Sequence, residues 1–160
     1  MRDVRCSRRK MQVLFLDFDG VLHREFCHES RHFECEPYLT TALDGMNIEI
    51  VLSSTWRINR SLNEIKALLS EAIAARVVGV TPQYSQLSDI SSRLALYERE
   101  AECVAWLTAN RPAWTRWLAL DDRPWLFRPF CPNLFLVDNK QGLQEHSCAL
   151  LRARLNELPR

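Results

Sequence analysis

Asp17-Phe18-Asp19-Gly20 sets two carboxylates two residues apart before a glycine, directly after the apolar run Val13-Leu14-Phe15-Leu16. Ser53-Ser54-Thr55-Trp56-Arg57 follows a second apolar run, 48–52, and Asp121-Asp122 follows a third, 117–120. A basic residue, Arg93 or Arg99, lies between the last two clusters. Should Asp17, Asp19, Asp121 and Asp122 share a small volume, their repulsion calls for a cation. An all-oxygen site with room for waters and a phosphate suits Mg²⁺. Beside such an ion an aspartate can attack a phosphoryl group, while a second carboxylic acid protonates the leaving oxygen and later deprotonates water. Asp17 and Asp19 suit those two tasks. Hydroxyls such as Ser53 and Ser54 can hold phosphoryl oxygens, and a guanidinium balances the charge that spreads over them in the transition state. Each cluster alone has a plainer reading, as a turn or a helix cap; their order, each behind an apolar run, favours chemistry.

These clusters need a scaffold that brings strand ends together. Short apolar runs rich in branched and aromatic residues read as buried parallel strands, whose carboxyl ends line the ligand crevice of an open α/β sheet. Further strands are expected at 77–80 and 134–137, and the first strand should be central. Helices are expected at 37–46, starting at Pro37, at 62–75 behind the capping box Ser61-Leu62-Asn63-Glu64, at 97–109 and at 143–157. In the last, Leu143, Leu150, Leu151, Leu155 and Leu158 are expected on one face. Residues 21–36, with Phe26 and Phe33 among His, Arg and Glu, read as a small hairpin or flap. Residues 81–92, with Tyr84 and four serines, read as an extended loop. Strands alternating with helices define an α/β parallel sheet.

With 160 residues, 47% of them hydrophobic, the chain suffices for one domain, and one domain over 1–160 is expected. A formal net charge of +1 excludes strong global attraction to nucleic acid or anionic membrane. It leaves room for a local patch, and Arg2, Arg5, Arg8, Arg9 and Lys10 form one: a solvated arm, or a contact for phosphate backbone. No run approaches the ~18 apolar residues of a membrane span, and the segment after the basic start is too short for a secretory signal, so the expectation is cytoplasmic. The six cysteines lack CxxC spacing and read as reduced thiols. Cys27, His28, His32 and Cys35 bring four zinc-type ligands within nine residues. Their spacing matches no established zinc module, and a polar loop with incidental ligands is the plainer reading.

Asp17-Phe18-Asp19-Gly20-Val21-Leu22, the run ending in Ser53, the basic residue and Asp121-Asp122 resemble the four signature motifs of the haloacid dehalogenase-like (HAD) hydrolase superfamily. The resemblance implies a Rossmann-like three-layer sandwich around a five-stranded parallel sheet of order 5-4-1-2-3. It also implies an Asp17 nucleophile, Asp19 as acid/base, and Mg²⁺ held by Asp17, the Asp19 carbonyl and Asp121, with Asp122 adjacent. An acid at position 19 is similar to the phosphatase branch, not the dehalogenase branch. Leu52-Ser53-Ser54-Thr55-Trp56-Arg57, Arg99 through Trp106-Leu107, Leu120-Asp121-Asp122, Val137-Asp138 and Gly142-Leu143 resemble the small phosphatase-like (HAD) domains of bacterial Swiss-army-knife RNA repair proteins. That closer resemblance puts Arg99 in the third motif, where Lys is common.

About 27 residues separate Gly20 from the second strand, too few for a cap domain. The resemblance thus implies a capless member, whose open crevice accepts phosphate groups of macromolecules or is closed by a partner subunit. Arg24, His28, Arg31 and His32 in the flap, with Arg57 and Arg60, are candidates to line the crevice, and Tyr84, Trp114 and Trp125 either stack on a ligand or pack. The expectation is a Mg²⁺-dependent phosphomonoesterase acting on an RNA or DNA end or a nucleotide, as a monomer or homodimer. The alternatives are a catalytically weak module that binds phosphorylated nucleic acid in the same crevice, and a small-molecule phosphatase closed by dimerisation.

Overall fold

The computed structural model describes residues 11–158; the basic arm expected at 1–10 lies outside the described residues. Five strands, β1 (Gln12–Leu16), β2 (Ile48–Leu52), β3 (Val77–Val80), β4 (Arg116–Asp121) and β5 (Leu134–Leu136), form one all-parallel sheet of order β3-β2-β1-β4-β5. This is the expected order, and β1 is central, every residue of it buried.

Side chains alternate across the sheet. Val13, Phe15, Val51 and Ala119 point to one face, where Cys103 and Trp106 of a long helix, α5 (Glu98–Asn110), cover them. Leu14, Leu16, Ile50, Leu52, Leu118 and Leu120 point to the other, against α1 (Glu36–Leu43), α3 (Leu62–Leu68) and α6 (Glu145–Glu157). Both faces are therefore apolar, and the strand sequences read as continuous apolar runs. The result is an α/β Rossmann-like arrangement of helix, sheet and helix layers. No helix among the described residues is long and apolar enough to cross a membrane.

Three local expectations need correction. Residues 62–75 are not one helix: α3 ends at Leu68 and a short α4 (Glu71–Ala74) follows. The capping box at Ser61 is present as expected, but Ser70 starts a second helix by accepting a bond from the Ile73 N–H, while its own N–H donates to Glu36 Oε1 at 2.7 Å. That tertiary partner outweighs continuous helical hydrogen bonding. Leu150 of α6 is exposed, although Leu143, Leu151, Leu155 and Leu158 are buried together. Residues 21–36 contain no hairpin; they hold one isolated bridge, Asp19 to His23, and a 3-10 turn at Glu29–Arg31. Phe26 (φ 59°) and Phe33 (φ 64°) occupy the left-handed region, which is incompatible with a two-stranded ladder.

Candidate active site

The register of the sheet levels the three polar clusters. Leu16 sits opposite Leu52 on β2 and Leu120 on β4. Pairing continues one step further: the Asp17 N–H donates to Leu120 O at 3.1 Å and the Ser53 N–H to Leu16 O at 3.0 Å. Asp17, Ser53 and Asp121 therefore stand on neighbouring strand ends, about one strand spacing (~4.8 Å) apart. Carboxylate oxygens of Asp17, Asp121 and Asp122 come within 4.8 Å of one another, all three residues being buried.

A short helix, α2 (Trp56–Asn59), follows the serines. Ser53 and Ser54 are both buried at its start, and Ser54 Oγ accepts from the Trp56 N–H at 3.3 Å.

Gly20 lets the fourth acidic residue in. Its φ is +78°, and a Cβ there would lie 2.4 Å from Asp122 Oδ2. Any side chain would thus strain the turn and push the Asp122 carboxylate from its place.

Arg99, not Arg93, reaches the carboxylates. It sits in the first turn of α5, and its Nη1 donates to Asp121 Oδ2 at 3.1 Å and lies 3.6 Å from Asp17 Oδ1. Its Nε lies 3.4 Å from Glu102 Oε2, one helical turn on. Arg93 is exposed in the preceding segment. Asp121 Oδ1 accepts from the Arg123 N–H at 3.0 Å, whereas Asp122 Oδ1 is buried without a hydrogen-bond partner among the described residues.

One guanidinium does not balance this cluster. Burial, reinforced by the Asp17 charge, pushes Asp121 up to about 7 and Asp122 up to about 7. An oxygen-only set that holds excess negative charge, with one oxygen left unpartnered, fits a hard divalent cation of the Mg²⁺ type.

Asp19 behaves differently. Its carboxylate accepts Trp56 Nε1–H on Oδ2 at 2.9 Å, and His23 Nε2 stands 2.9 Å from Oδ1. The Phe33 N–H donates to His23 Nδ1 at 3.3 Å, so the ring proton is on Nε2 and points at Asp19. The His23 hydrogen bond, then that of Trp56, hold the Asp19 carboxyl below its ordinary value against the opposing effect of burial. The Asp19 side chain thus faces a different cleft from the one beside Arg99. The expected contribution of Asp19 to an ion is its main-chain carbonyl, which leaves the carboxylate free for this arrangement.

Two clefts flank the cluster. One, of about 330 Å³, is lined by Thr55, Arg57, Tyr84, Arg99, Glu102 and Arg123, among others. The other, of about 260 Å³, contains Asp19, His23, Cys27 and His32, and Arg123 faces both.

Several expected crevice residues are occupied elsewhere. Arg57 donates from Nη1 to Ser53 O (3.0 Å) and Ser54 O (2.9 Å) and from Nε to Thr81 O (3.0 Å), and its Nη2 pairs with Glu102 Oε1 at 3.0 Å. It staples the ends of β2 and β3, although it still borders the larger cleft. Arg60 stacks on the Trp56 ring, 4.4 Å from its centroid. Arg24 and Arg31 pair with Glu34 at the surface, and His28 Nδ1 accepts from the Ser30 N–H. Tyr84 packs through its hydroxyl, which donates to Ala95 O, while Trp114 and Trp125 are exposed.

Sequence reasoning missed His23, Glu102 and Arg123 as parts of this region, and it named Trp56 within its cluster without a role. Glu102 carried a usable signal, being three residues from Arg99 on a helix. His23 carried none, because only the loop path turns it back to Asp19, and nothing in the position of Trp56 at the start of α2 aims its indole at that carboxylate.

Residues 13–148 match the family model described as the HAD domain in Swiss Army Knife RNA repair proteins. No curated protein and no solved structure matches the chain.

Proposed function

Since this chain belongs to the family of HAD domains in Swiss Army Knife RNA repair proteins, a family of phosphatase-type hydrolases and related modules, we propose that it is a Mg²⁺-dependent phosphomonoesterase acting on phosphorylated nucleic acid ends or nucleotides. One observation carries this reading: Asp17, Asp121 and Asp122 converge at adjacent strand ends with Arg99 against them and one buried carboxylate oxygen left over.

Asp17, Asp121 and Asp122, with the Asp19 carbonyl, would hold the ion, which supplies charge neutralisation for the phosphoryl oxygens. Asp17 attacks phosphorus, the bond to the leaving oxygen breaks, and an aspartyl-phosphate forms. Ser53, Ser54 and Arg99 hold the non-bridging oxygens, Arg99 exchanging part of its hold on Asp17 and Asp121 for the incoming phosphoryl group. Asp19 gives its proton to the leaving oxygen and then takes one from the water that hydrolyses the acyl phosphate. His23 and Trp56 both favour the ionised form of Asp19, which suits the second step and opposes the protonated form that the first step uses.

The same observation supports a second reading. Two hydrogen bonds hold the Asp19 carboxylate away from the carboxylate cluster, which suits a module that binds a phosphorylated end and turns it over slowly. Phosphate release separates the two. A panel of sugar phosphates, nucleotides and 3′- or 5′-phosphorylated oligonucleotides, with and without Mg²⁺, should yield Mg²⁺-dependent release that Asp17→Asn abolishes. Salt-sensitive binding without release from any member of the panel would leave the binding module as the answer.

A further inference from the structure

We propose that His23, Cys27 and His32 form a second metal site, for zinc or a similarly soft divalent cation, in the cleft behind Asp19. Their ligand atoms lie within 4.8 Å of one another, although the residues come from separate turns of an irregular segment. They are not the four residues that spacing suggested. His28 is engaged with Ser30, and Cys35 is buried, its Sγ donating to Gln141 O. His23 takes their place.

Chemistry separates this site from the carboxylate cluster. Two imidazoles and a thiolate are a zinc set, whereas the Asp17 group offers only oxygen. In a tetrahedral zinc site with bonds of about 2.0–2.3 Å, ligand atoms stand about 3.3–3.6 Å apart. Cys27 and His32 are half-exposed, which leaves their side chains room to rotate toward that spacing around the buried His23. The His23 and His32 rings are already stacked, 4.6 Å between centroids and 26° from parallel. The cleft of about 260 Å³ gives an ion access. Arg123, the cation lining that cleft, lies 3.5 Å from Glu25 Oε1, which offsets its charge.

The Asp19 carboxylate takes part through His23. Coordination at Nδ1, in place of the Phe33 N–H that this nitrogen accepts in the ion-free fold, leaves Nε2–H donating to Asp19, the carboxylate–histidine–metal arrangement that orients many zinc ligands. Backbone geometry points the same way: Phe26, beside Cys27, holds φ 59° with its ring almost wholly exposed, so burial of that ring does not explain the conformation.

On binding, the Cys27 S–H bond is replaced by a sulfur–metal bond and the proton passes to solvent. The test is a Co²⁺ titration of the reduced, metal-stripped full chain, followed in the near ultraviolet. A thiolate-to-cobalt charge-transfer band should saturate at one equivalent and disappear when Zn²⁺ is added. It should be absent in Cys27→Ser, require at least about tenfold more Co²⁺ in His32→Ala, and persist in Cys6→Ser and Cys35→Ser. No band in the folded chain, a band that survives Cys27→Ser, or an unchanged titration of His32→Ala would overturn the proposal. The band reports a thiolate ligand and does not depend on turnover, so the result stands apart from the fate of the phosphatase reading.

Discussion

Arg123 faces both the crevice beside Arg99 and the pocket behind Asp19, yet the two are built by different means. The first opens beside the strand-end residues Asp17, Ser53 and Asp121, whose relative heights are set by the ladder that pairs Leu16 with Leu52 and Leu120, and Arg99 joins crevice and strand ends. In the second, His23, Cys27 and His32 lie on a segment with no strand pairing beyond one bridge, shaped by two left-handed phenylalanines. A site carried by a sheet inherits the rigidity of its core. A site carried by a loop depends on a few hydrogen bonds and can adjust to what it binds.

The difference can be broken first at the nucleophile. Asp17→Asn should keep the fold, since the β1 pairing is main-chain, and lower phosphate release by about a thousandfold or more; release above that level would remove Asp17 from the chemistry. Gly20→Ala comes next, because it tests a point where the turn after β1 lies close against the strand-end site. A methyl 2.4 Å from Asp122 Oδ2, at a φ of +78°, should cost about 1–2 kcal/mol in chemical denaturation and weaken Mg²⁺ binding measured by calorimetry. Unchanged stability in the Gly20→Ala variant would show that the turn is not as tight as described.

Proton linkage sharpens the comparison further. Asp121 and Asp122 are raised from 3.8 to about 7, so the folded chain holds protons that the unfolded chain has released. The stabilisation is complete below about pH 4 and is lost as pH climbs toward 7, by on the order of 4 kcal/mol for one fully shifted carboxylate. Ion-free protein should therefore melt lower at pH 7 than at pH 5, and Mg²⁺ should narrow the gap; a flat melting profile across that range would contradict the charge crowding. Asp19 has the opposite sign, being held low by His23 and Trp56. Trp56→Phe removes one of its two donors while keeping an aromatic ring. The Asp19 pKa should rise toward its ordinary value, and the acidic limb of the kcat profile should move to higher pH. No movement would mean that Trp56 holds Asp19 only structurally.

How much was legible follows from the same contrast. Apolar runs ending in Asp17, Ser53 and Asp121 announced both the strands and their convergence, because a buried parallel strand must be apolar on both faces and its end is the first place a charge can stand. Arg99 was legible only through resemblance, since spacing alone did not separate it from Arg93. The break between α3 and α4 was hidden because Ser70 takes its partner, Glu36, from 34 residues earlier. The metal-type ligands of residues 27–35 were noticed, but the fold draws Cys27 and His32 together with His23, as turns and not periodicity decide which side chains face each other there.

What the amino-acid sequence determined by itself was the parallel sheet, its central strand and the carboxylates at its rim: local hydrophobic patterning dictates burial, and burial dictates where the strands end. What only the tertiary structure decided was the state of Asp19, clamped by His23 and Trp56, and the company of Cys27. Those depend on the path of an irregular chain, which no residue period encodes and which tertiary contacts such as the Glu25 N–H bond to Asn139 O and the packing of Phe18, Phe33 and Trp56 help to select.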